Sequence, residues 1–327
     1  MKMRDAVSWH RPLMIVGLGC AVLVPVGAVA VLADPRTLLG APIWLKPTKF
    51  AVSITIFCIT WAWLYGQLRA RSGRIRGVHA AGTVAAVTVA IELVAIAFQA
   101  GRGTTSHYNV STLLDGTLWT IMAVSIVVAW LGTLWLSGAL FAVRGLDPAR
   151  SLAIRAGAVL ALAGMALGFL MTSPTPDQLA DFRGIAGAHS VGLPDGGPGL
   201  AVVGWSTVGG DLRVPHFVGM HALQLLPLLL IGLELAASRV SALARPRVRR
   251  DLVAVAVAGY AGLLGLVTWQ ALRGQPLLSP DPWTAAAAGV LVLTVAGGAV
   301  LTLRRSRSER AARMPDGGGH DRAETPP

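Results

Sequence analysis

The chain has 327 residues, of which 54% are hydrophobic and 13% are charged, and its mean hydropathy is +0.62. A soluble domain carries about 25% charged residues, so this composition excludes that class and favours a membrane protein. The formal net charge of +12 does not indicate nucleic acid as a partner, because the basic residues cluster in short loops between apolar runs. Membrane lipids are the expected partners instead.

Eight apolar runs follow one another along the chain. Each is long enough to cross a hydrocarbon core of ~30 Å as a helix, and too long and unalternating for a strand of a barrel. The sequence therefore predicts an all-α, polytopic transmembrane helix bundle with eight spans. The first run also has the basic start and small-residue end of a signal peptide, but we expect it to be retained because the repeat described below needs it. The predicted spans lie near 12–32, 48–68, 78–99, 116–143, 152–172, 214–237, 251–272 and 284–303.

The basic residues fall mainly on alternate loops. Of the 28 Lys and Arg residues, 21 lie before the first span, in the second, fourth and sixth loops, or after the last span. The positive-inside rule then predicts a multi-pass protein of the plasma membrane with both termini in the cytoplasm. The segment 304–327 is charged and rich in Gly and Pro, which predicts a disordered cytoplasmic tail.

A polar phrase occurs twice, as FQAGRG at 98–103 and WQALRG at 269–274. Each copy ends an apolar run, and each is followed by an Asp at the expected start of the next helix. The alternative is a chance match, since Ala, Gly and Arg are abundant. We interpret the phrase as an internal duplication of four spans each, 1–150 and 151–303, related by a pseudo-twofold axis along the membrane normal. The second repeat carries a long outer loop at 173–213.

Polar residues gather in the outer half of the predicted bundle. Glu92 is the carboxylate well inside a span, where an ionisable group indicates function by default, and its expected partners are Lys46, Lys49 or a histidine. The guanidinium forks of the two repeated arginines suit an anion, although such arginines also snorkel to lipid phosphates. The predicted ligand-binding residues are Glu92, Gln99, Arg102, His107, Asn109, His216, His221, Gln224, Gln270 and Arg273.

Histidines on the outer side raise the question of a metal or haem. There is no CxxCH or HExxH motif. His107, His189 and His221 are candidate metal ligands, and a non-covalent haem is a candidate cofactor with a redox role. The alternative is that these are ordinary histidines that pack in loops and at the membrane interface.

The one-sided distribution of polar residues favours an outward-facing site over a path for alternating access. The predicted function is therefore an integral membrane protein whose outer polar site binds a cofactor or a small anionic ligand. The alternatives are a transporter of a small solute or a lipid-linked enzyme, and the sequence leaves open whether the protein is an enzyme.

Three segments carry a family resemblance: PIWLKP (42–47), QAGRGTTSHYN (99–109) and GDLRVPHFVGMHALQ (210–224). Together they resemble an uncharacterised group of bacterial eight-span integral membrane proteins, a resemblance that implies no activity. The four-plus-four outline is also similar to haem A synthase, in architecture only.

Overall fold

The computed structural model describes residues 8–73 and 76–311, and within them the chain is helical, as the sequence predicts. The first half contains α1 (Arg11–Ala33), α2 (Leu45–Ser72), α3 (Val78–Gly101) and α4 (Leu113–Ala142). The second half contains α5 (Pro148–Leu167), α6 (Pro176–Ala180), α7 (Arg213–Met220), α8 (Ala222–Ala236), α9 (Pro246–Leu272) and α10 (Pro282–Ala311).

Two short antiparallel ladders lie in the loops that follow α1 and α6. β1 (Thr37–Leu38) pairs with β2 (Ala41–Pro42), with Thr37 opposite Pro42. β3 (Ser190–Val191) pairs with β4 (Gly210–Asp211), with Ser190 opposite Asp211. The second ladder closes the outer loop at 173–213 back on itself just before α7.

Seven of the described helices are long and apolar enough to cross a membrane, which makes the chain a multi-pass integral membrane protein. The shorter helices α7 and α8 pass the same test only as a pair, and they are bent by 44°. The last helix continues to Ala311, beyond the predicted end of span eight at residue 303. The tail predicted to be disordered spans 304–327: its first residues, up to Ala311, continue the last helix, and 312–327 lie outside the described residues.

The helices of the two halves pack in the same pairs. In the first half, α1 packs on α2, α3 packs on α4, and α3 also contacts α1 and α2. In the second half, α5 packs on α7 and α8, α9 packs on α10, and α9 also contacts α5, α7 and α8. The halves meet where α4 contacts α5, and the main core continues across this boundary through Ile154 and Leu223.

A close helix crossing fixes the position of α7. Gly164 of α5 meets Gly219 of α7, and a Cβ on Gly164 would lie 2.4 Å from the Gly219 Cα. Only glycine at both positions permits this approach, a device common in membrane bundles. The crossing places His216 against α5, where its Nδ1 lies 2.8 Å from the Gly164 carbonyl oxygen.

The sixth predicted span is broken rather than continuous. α7 ends at Met220, and α8 begins at Ala222 with His221 at the junction. Pro227 lies inside α8, where a proline cannot donate the backbone hydrogen bond of a regular helix. The Gln224 amide, one turn after the break, is hydrogen-bonded at 3.3 Å to the Thr60 hydroxyl of α2. This contact joins the two halves inside the bundle.

Candidate functional site

The two copies of the repeated phrase end α3 and α9 with the same backbone geometry. Gly103 and Gly274 both have φ +72°, the left-handed conformation that glycine adopts most readily. In each copy the N–H of the residue after the glycine donates to a glutamine carbonyl, that of Gln99 at 3.1 Å and that of Gln270 at 3.2 Å. This is the 6→1 bond typical of a Schellman helix end, so the phrase encodes how the helix stops.

The glutamine side chains close the loop that follows each helix. Gln99 Nε2 lies 3.5 Å from the carbonyl oxygen of Thr105, six residues later. Gln270 Nε2 donates to the carbonyl of Pro276, also six residues later, at 2.8 Å. Both glutamines are buried, so these bonds satisfy amide groups that would otherwise be costly to bury.

Each arginine of the phrase holds the aspartate at the start of the next helix. Arg102 Nη1 donates to Asp115 at 2.6 Å and also to Gln99. Arg273 Nη2 donates to Asp281 at 2.7 Å. The guanidinium groups predicted to bind an anion therefore already bind carboxylates of this chain, and each ties two consecutive helices together.

The first copy differs from the second because a titratable residue of its loop, His107, pairs with a buried carboxylate of the preceding helix. Glu92 of α3 is 5% exposed, and its Oε1 lies 3.8 Å from His107 Nε2 in the loop before α4. Its second oxygen, Oε2, has no hydrogen-bond partner among the described residues. A buried carboxylate oxygen without a partner costs free energy, so this position is less stable than a fully hydrogen-bonded one would be.

His107 is held in an aromatic surround. Its Nδ1 lies 3.1 Å from the Ser106 hydroxyl, and its ring packs edge-on against Phe50 at 5.7 Å between centroids. The rings of Tyr108 and Trp119 lie 5.8 and 5.7 Å away. Burial, followed by the charge of Lys46, holds the pKa of His107 well below its usual range.

Tyr108 has a backbone conformation that a bulky residue rarely adopts. Its φ is +62°, in the left-handed region, and its ring is 4% exposed. The outer loop holds it there, since Ala186 N–H donates to the Tyr108 carbonyl and Val110 N–H donates to the Gly184 carbonyl, each at 2.8 Å. Strain of this kind persists where surrounding structure imposes it, often at functional sites.

The outer loop contributes a second buried pair, His189 and Asp195. His189 Nδ1 lies 2.6 Å from Asp195 Oδ2, and the His189 ring lies 5.2 Å from the Tyr108 ring. Burial lowers the pKa of His189, and the bond to Asp195 opposes part of that shift. Burial alone would raise the pKa of Asp195. Its hydrogen bonds with His189 and with the N–H of Ser190 lower that pKa by more, so it lies below the usual value for an aspartate.

Three basic residues surround these pairs. Lys49 Nζ donates to the Val203 carbonyl of the outer loop at 2.9 Å. Arg213 binds both oxygens of Asp211, with Nη2 to Oδ2 at 2.6 Å. Lys46 lies within electrostatic range of Glu92, Asp195 and Arg213, and its ammonium has no hydrogen-bond acceptor among the described residues. His216 lies within electrostatic range of His107 and His189. We call the titratable side chains of this region, without Lys49, the acid–base cluster: Lys46, Glu92, His107, His189, Asp195, Arg213 and His216.

The predicted site residues thus separate into different places. Glu92, His107 and His216 belong to the acid–base cluster. Asn109 is buried and holds its own loop, donating to the Thr104 hydroxyl at 3.1 Å. The remaining predicted residues lie in the helix ends or at the α7–α8 break: Gln99, Arg102, Gln270 and Arg273 in the former, His221 and Gln224 in the latter.

The sequence prediction omitted Tyr108, Asp195 and Arg213. Asp195 lies in a Pro- and Gly-rich stretch of the outer loop, and no local pattern distinguishes it from an ordinary turn residue. Its membership of the 173–213 loop was the available signal, because a connection of that length is commonly functional. Lys46, expected as a partner of Glu92, does lie near it.

A metal centre has no ready ligand set in the described residues. Within residues 8–73 and 76–311, no group of three or more His, Cys, Asp or Glu side chains is arranged to hold a metal ion. His189 Nδ1 is already bonded to Asp195, and the His221 ring packs against Phe217 at 4.3 Å between centroids. The metal and haem assignments stay predictions from the sequence.

Comparison with known proteins adds no assignment: no family model, no curated protein and no solved structure matches this chain.

Proposed function

We propose that the acid–base cluster binds a small anionic ligand at the outer face of the membrane. The observation that carries this proposal is the Lys46 ammonium, which has no hydrogen-bond acceptor among the described residues and lies within electrostatic range of Glu92, whose Oε2 is also unpartnered. Arg213 already has a carboxylate partner in Asp211, and His189 has one in Asp195. Lys46 is therefore the cation left to receive an anion from outside the chain.

The ligand that fits has one acceptor group for Lys46 and a proton to share with Glu92 or His107. Weak acids such as carboxylic acids and phosphate meet both requirements. The aromatic surround of His107 excludes bulk water, which strengthens electrostatic interactions at the site. The outer loop would cover the bound ligand, because Lys49 and Tyr108 tie that loop to the helices beneath it.

The proposal is tested by thermal unfolding of the purified protein with sodium acetate, phosphate or sulfate at constant ionic strength, and with acetamide as a neutral match. A specific anion at 100 times its Kd should stabilise the fold by about 2.7 kcal/mol. Lys46→Gln should abolish that gain. Arg183→Gln removes an exposed outer-loop arginine that is paired with Asp181, and it should retain the gain. Equal gains with every salt, or an unchanged gain in Lys46→Gln, would contradict the proposal.

We also propose that the protein has eight spans in a four-plus-four repeat, with α7 and α8 forming one bent span. The identical helix ends at Gly103 and Gly274 support this, as do the matching packing pairs of the two halves. In this arrangement both termini are cytoplasmic and the cluster faces outward across the plasma membrane. Reporter fusions at the C-terminus test the topology, and a tail active only as a periplasmic reporter would contradict it.

Transport of a small solute is a second candidate, favoured by the broken span. Transporters commonly interrupt a helix near the middle of the membrane, and here His221 lies at the break while Gln224 contacts Thr60 nearby. In reconstituted vesicles, a transporter would move the bound anion across the bilayer. A protein that binds the anion without moving it would be a binding protein or sensor.

A further inference from the structure

A second site lies at the opposite end of the bundle from Glu92. A cavity of about 210 Å³ separates α2 from α5 and α8. Its polar lining comes from Trp63, Gln67 and Arg150, and its apolar wall includes Ile154, Leu230 and Ile231. None of these residues belongs to the acid–base cluster, so the cavity is independent of the function proposed above.

The polar lining of this cavity offers donors without acceptors. Arg150 Nη2 donates to both carboxylate oxygens of Glu234 at 2.9 Å, while its Nε and Nη1 have no acceptor among the described residues. Gln67 Oε1 accepts a bond from Arg71 at 2.7 Å, which leaves the Gln67 Nε2 donors unused. The indole N–H of Trp63 also has no acceptor within that part of the chain. Three of the residues that line the cavity therefore carry N–H groups without an acceptor in the described part of the chain.

Such a lining selects an anion with several acceptor oxygens. A phosphate diester fits, because the Nε and Nη1 groups of Arg150 remain free to donate to its oxygens. Glu234 offsets part of the positive charge of Arg150, so the preference for an anion rests on the N–H groups that Arg150, Gln67 and Trp63 keep free. The apolar wall requires a ligand with a hydrocarbon part, because covering Ile154 and Leu230 removes apolar surface from water.

We propose that this cavity is a binding site for an anionic phospholipid. The phosphate lies against Arg150, Gln67 and Trp63, and the start of an acyl chain lies along Ile154, Leu230 and Ile231. Exposed arginines at the same end of the bundle, such as Arg69 and Arg144, attract anionic lipid to this side of the membrane. A lipid there would bridge the two halves of the protein, since α2 belongs to the first and α5 and α8 to the second.

Trp63 provides a local reporter for the test. Phosphatidylglycerol with brominated acyl chains is titrated into the detergent-solubilised full-length protein, and phosphatidylcholine with the same chains serves as the neutral-headgroup match. The fluorescence lost by the wild type but not by Trp63→Phe measures quenching at this cavity. We expect phosphatidylglycerol to quench that component at a concentration at least fivefold lower than phosphatidylcholine does.

The variants separate a specific site from general attraction. Arg150→Gln should remove the preference for phosphatidylglycerol, and Gln67→Leu, which leaves the Arg150–Glu234 ion pair intact, should weaken it at least threefold. Arg144→Gln removes an exposed arginine outside the cavity and should leave the preference unchanged. Equal quenching by both lipids, or equal preference in Gln67→Leu and the wild type, would overturn the proposal. Displacement of phosphatidylglycerol by millimolar inorganic phosphate would also overturn it, because a free anion would then suffice.

Discussion

The ends of α3 and α9 use one phrase for the same structural purpose and then diverge. Both helices stop at a left-handed glycine, and both use an arginine to hold the aspartate of the next helix. After α3, the loop carries His107 and Tyr108 and is covered by the outer loop. After α9, the chain turns directly into α10, and Arg273 and Asp281 stay partly exposed.

This difference distinguishes residues that hold the helix connections from residues that belong to the proposed site. The residues that the two copies share bond to each other and to their own loops, so they maintain the helix connections. Glu92 and His107 are found in one copy alone. They bring a buried carboxylate and an imidazole together but leave one carboxylate oxygen without a hydrogen-bond partner among the described residues. A polar phrase that occurs twice in a membrane protein can therefore be structural, and we look for function where its two surroundings differ.

The largest effect should come from the aspartates of the two copies. The Asp115 side chain is 4% exposed and accepts bonds from Arg102 and Gln99, whereas the Asp281 side chain is 27% exposed. We expect Asp115→Asn to cost about 2–3 kcal/mol, because it leaves a partly buried arginine without its counter-charge. Asp281→Asn should cost less, since its ion pair is screened by solvent and asparagine also caps a helix. Unfolding in detergent measures both, and equal losses would contradict the distinction.

An intermediate effect is expected from pH. The pKa of His107 in the folded protein is lowered by burial and by Lys46, so as pH falls the unfolded chain takes up the proton first. Stability should be complete above the unfolded pKa of about 6.5 and decline below it, by up to about 1.4 kcal/mol per pH unit for each such group. His189 acts in the same direction, because burial lowers its pKa too.

Unfolding at several pH values between 5 and 7.5 checks this, a range in which free aspartates with pKa of about 3.9 hardly titrate. His107→Gln should reduce the slope, and the other buried histidines should supply what remains. A slope that is unchanged in His107→Gln would show that His107 is protonated equally in both states.

The smallest loss of stability should come from replacing the glycine at each helix end, and it should be equal in the two copies. Gly103→Ala and Gly274→Ala each force a Cβ into the left-handed region at φ +72°, although neither Cβ would meet a close contact. Each should cost about 1 kcal/mol. Unfolding of the two single variants gives the comparison. Losses that differ widely would mean that the two helix ends are not equivalent.

Local patterns predicted the helices well because apolar runs of membrane length have few alternative structures. They also predicted that the two QAxRG phrases are related, since the phrase acts through bonds within about a dozen residues. The break at His221 was not predicted, because residues 214–237 form one apolar run in the sequence; in the structure the close approach of Gly219 to Gly164 lies next to the break. The partners of Glu92 were predicted only as a set of candidates, because the loop that brings His107 Nε2 to 3.8 Å from Glu92 Oε1 also bonds to the distant outer loop.

The most direct test of the account is calorimetric titration of the anion that gives the largest thermal stabilisation among acetate, phosphate and sulfate. Three proteins are compared: the wild type, Lys46→Gln, and the paired variant Arg102→Lys with Arg273→Lys, which keeps both charges beside Asp115 and Asp281. The account predicts that Lys46→Gln weakens binding at least tenfold, while the arginine variant binds like the wild type. Loss of binding in the arginine variant, with full affinity in Lys46→Gln, would contradict it and return the anion site to the repeated phrase.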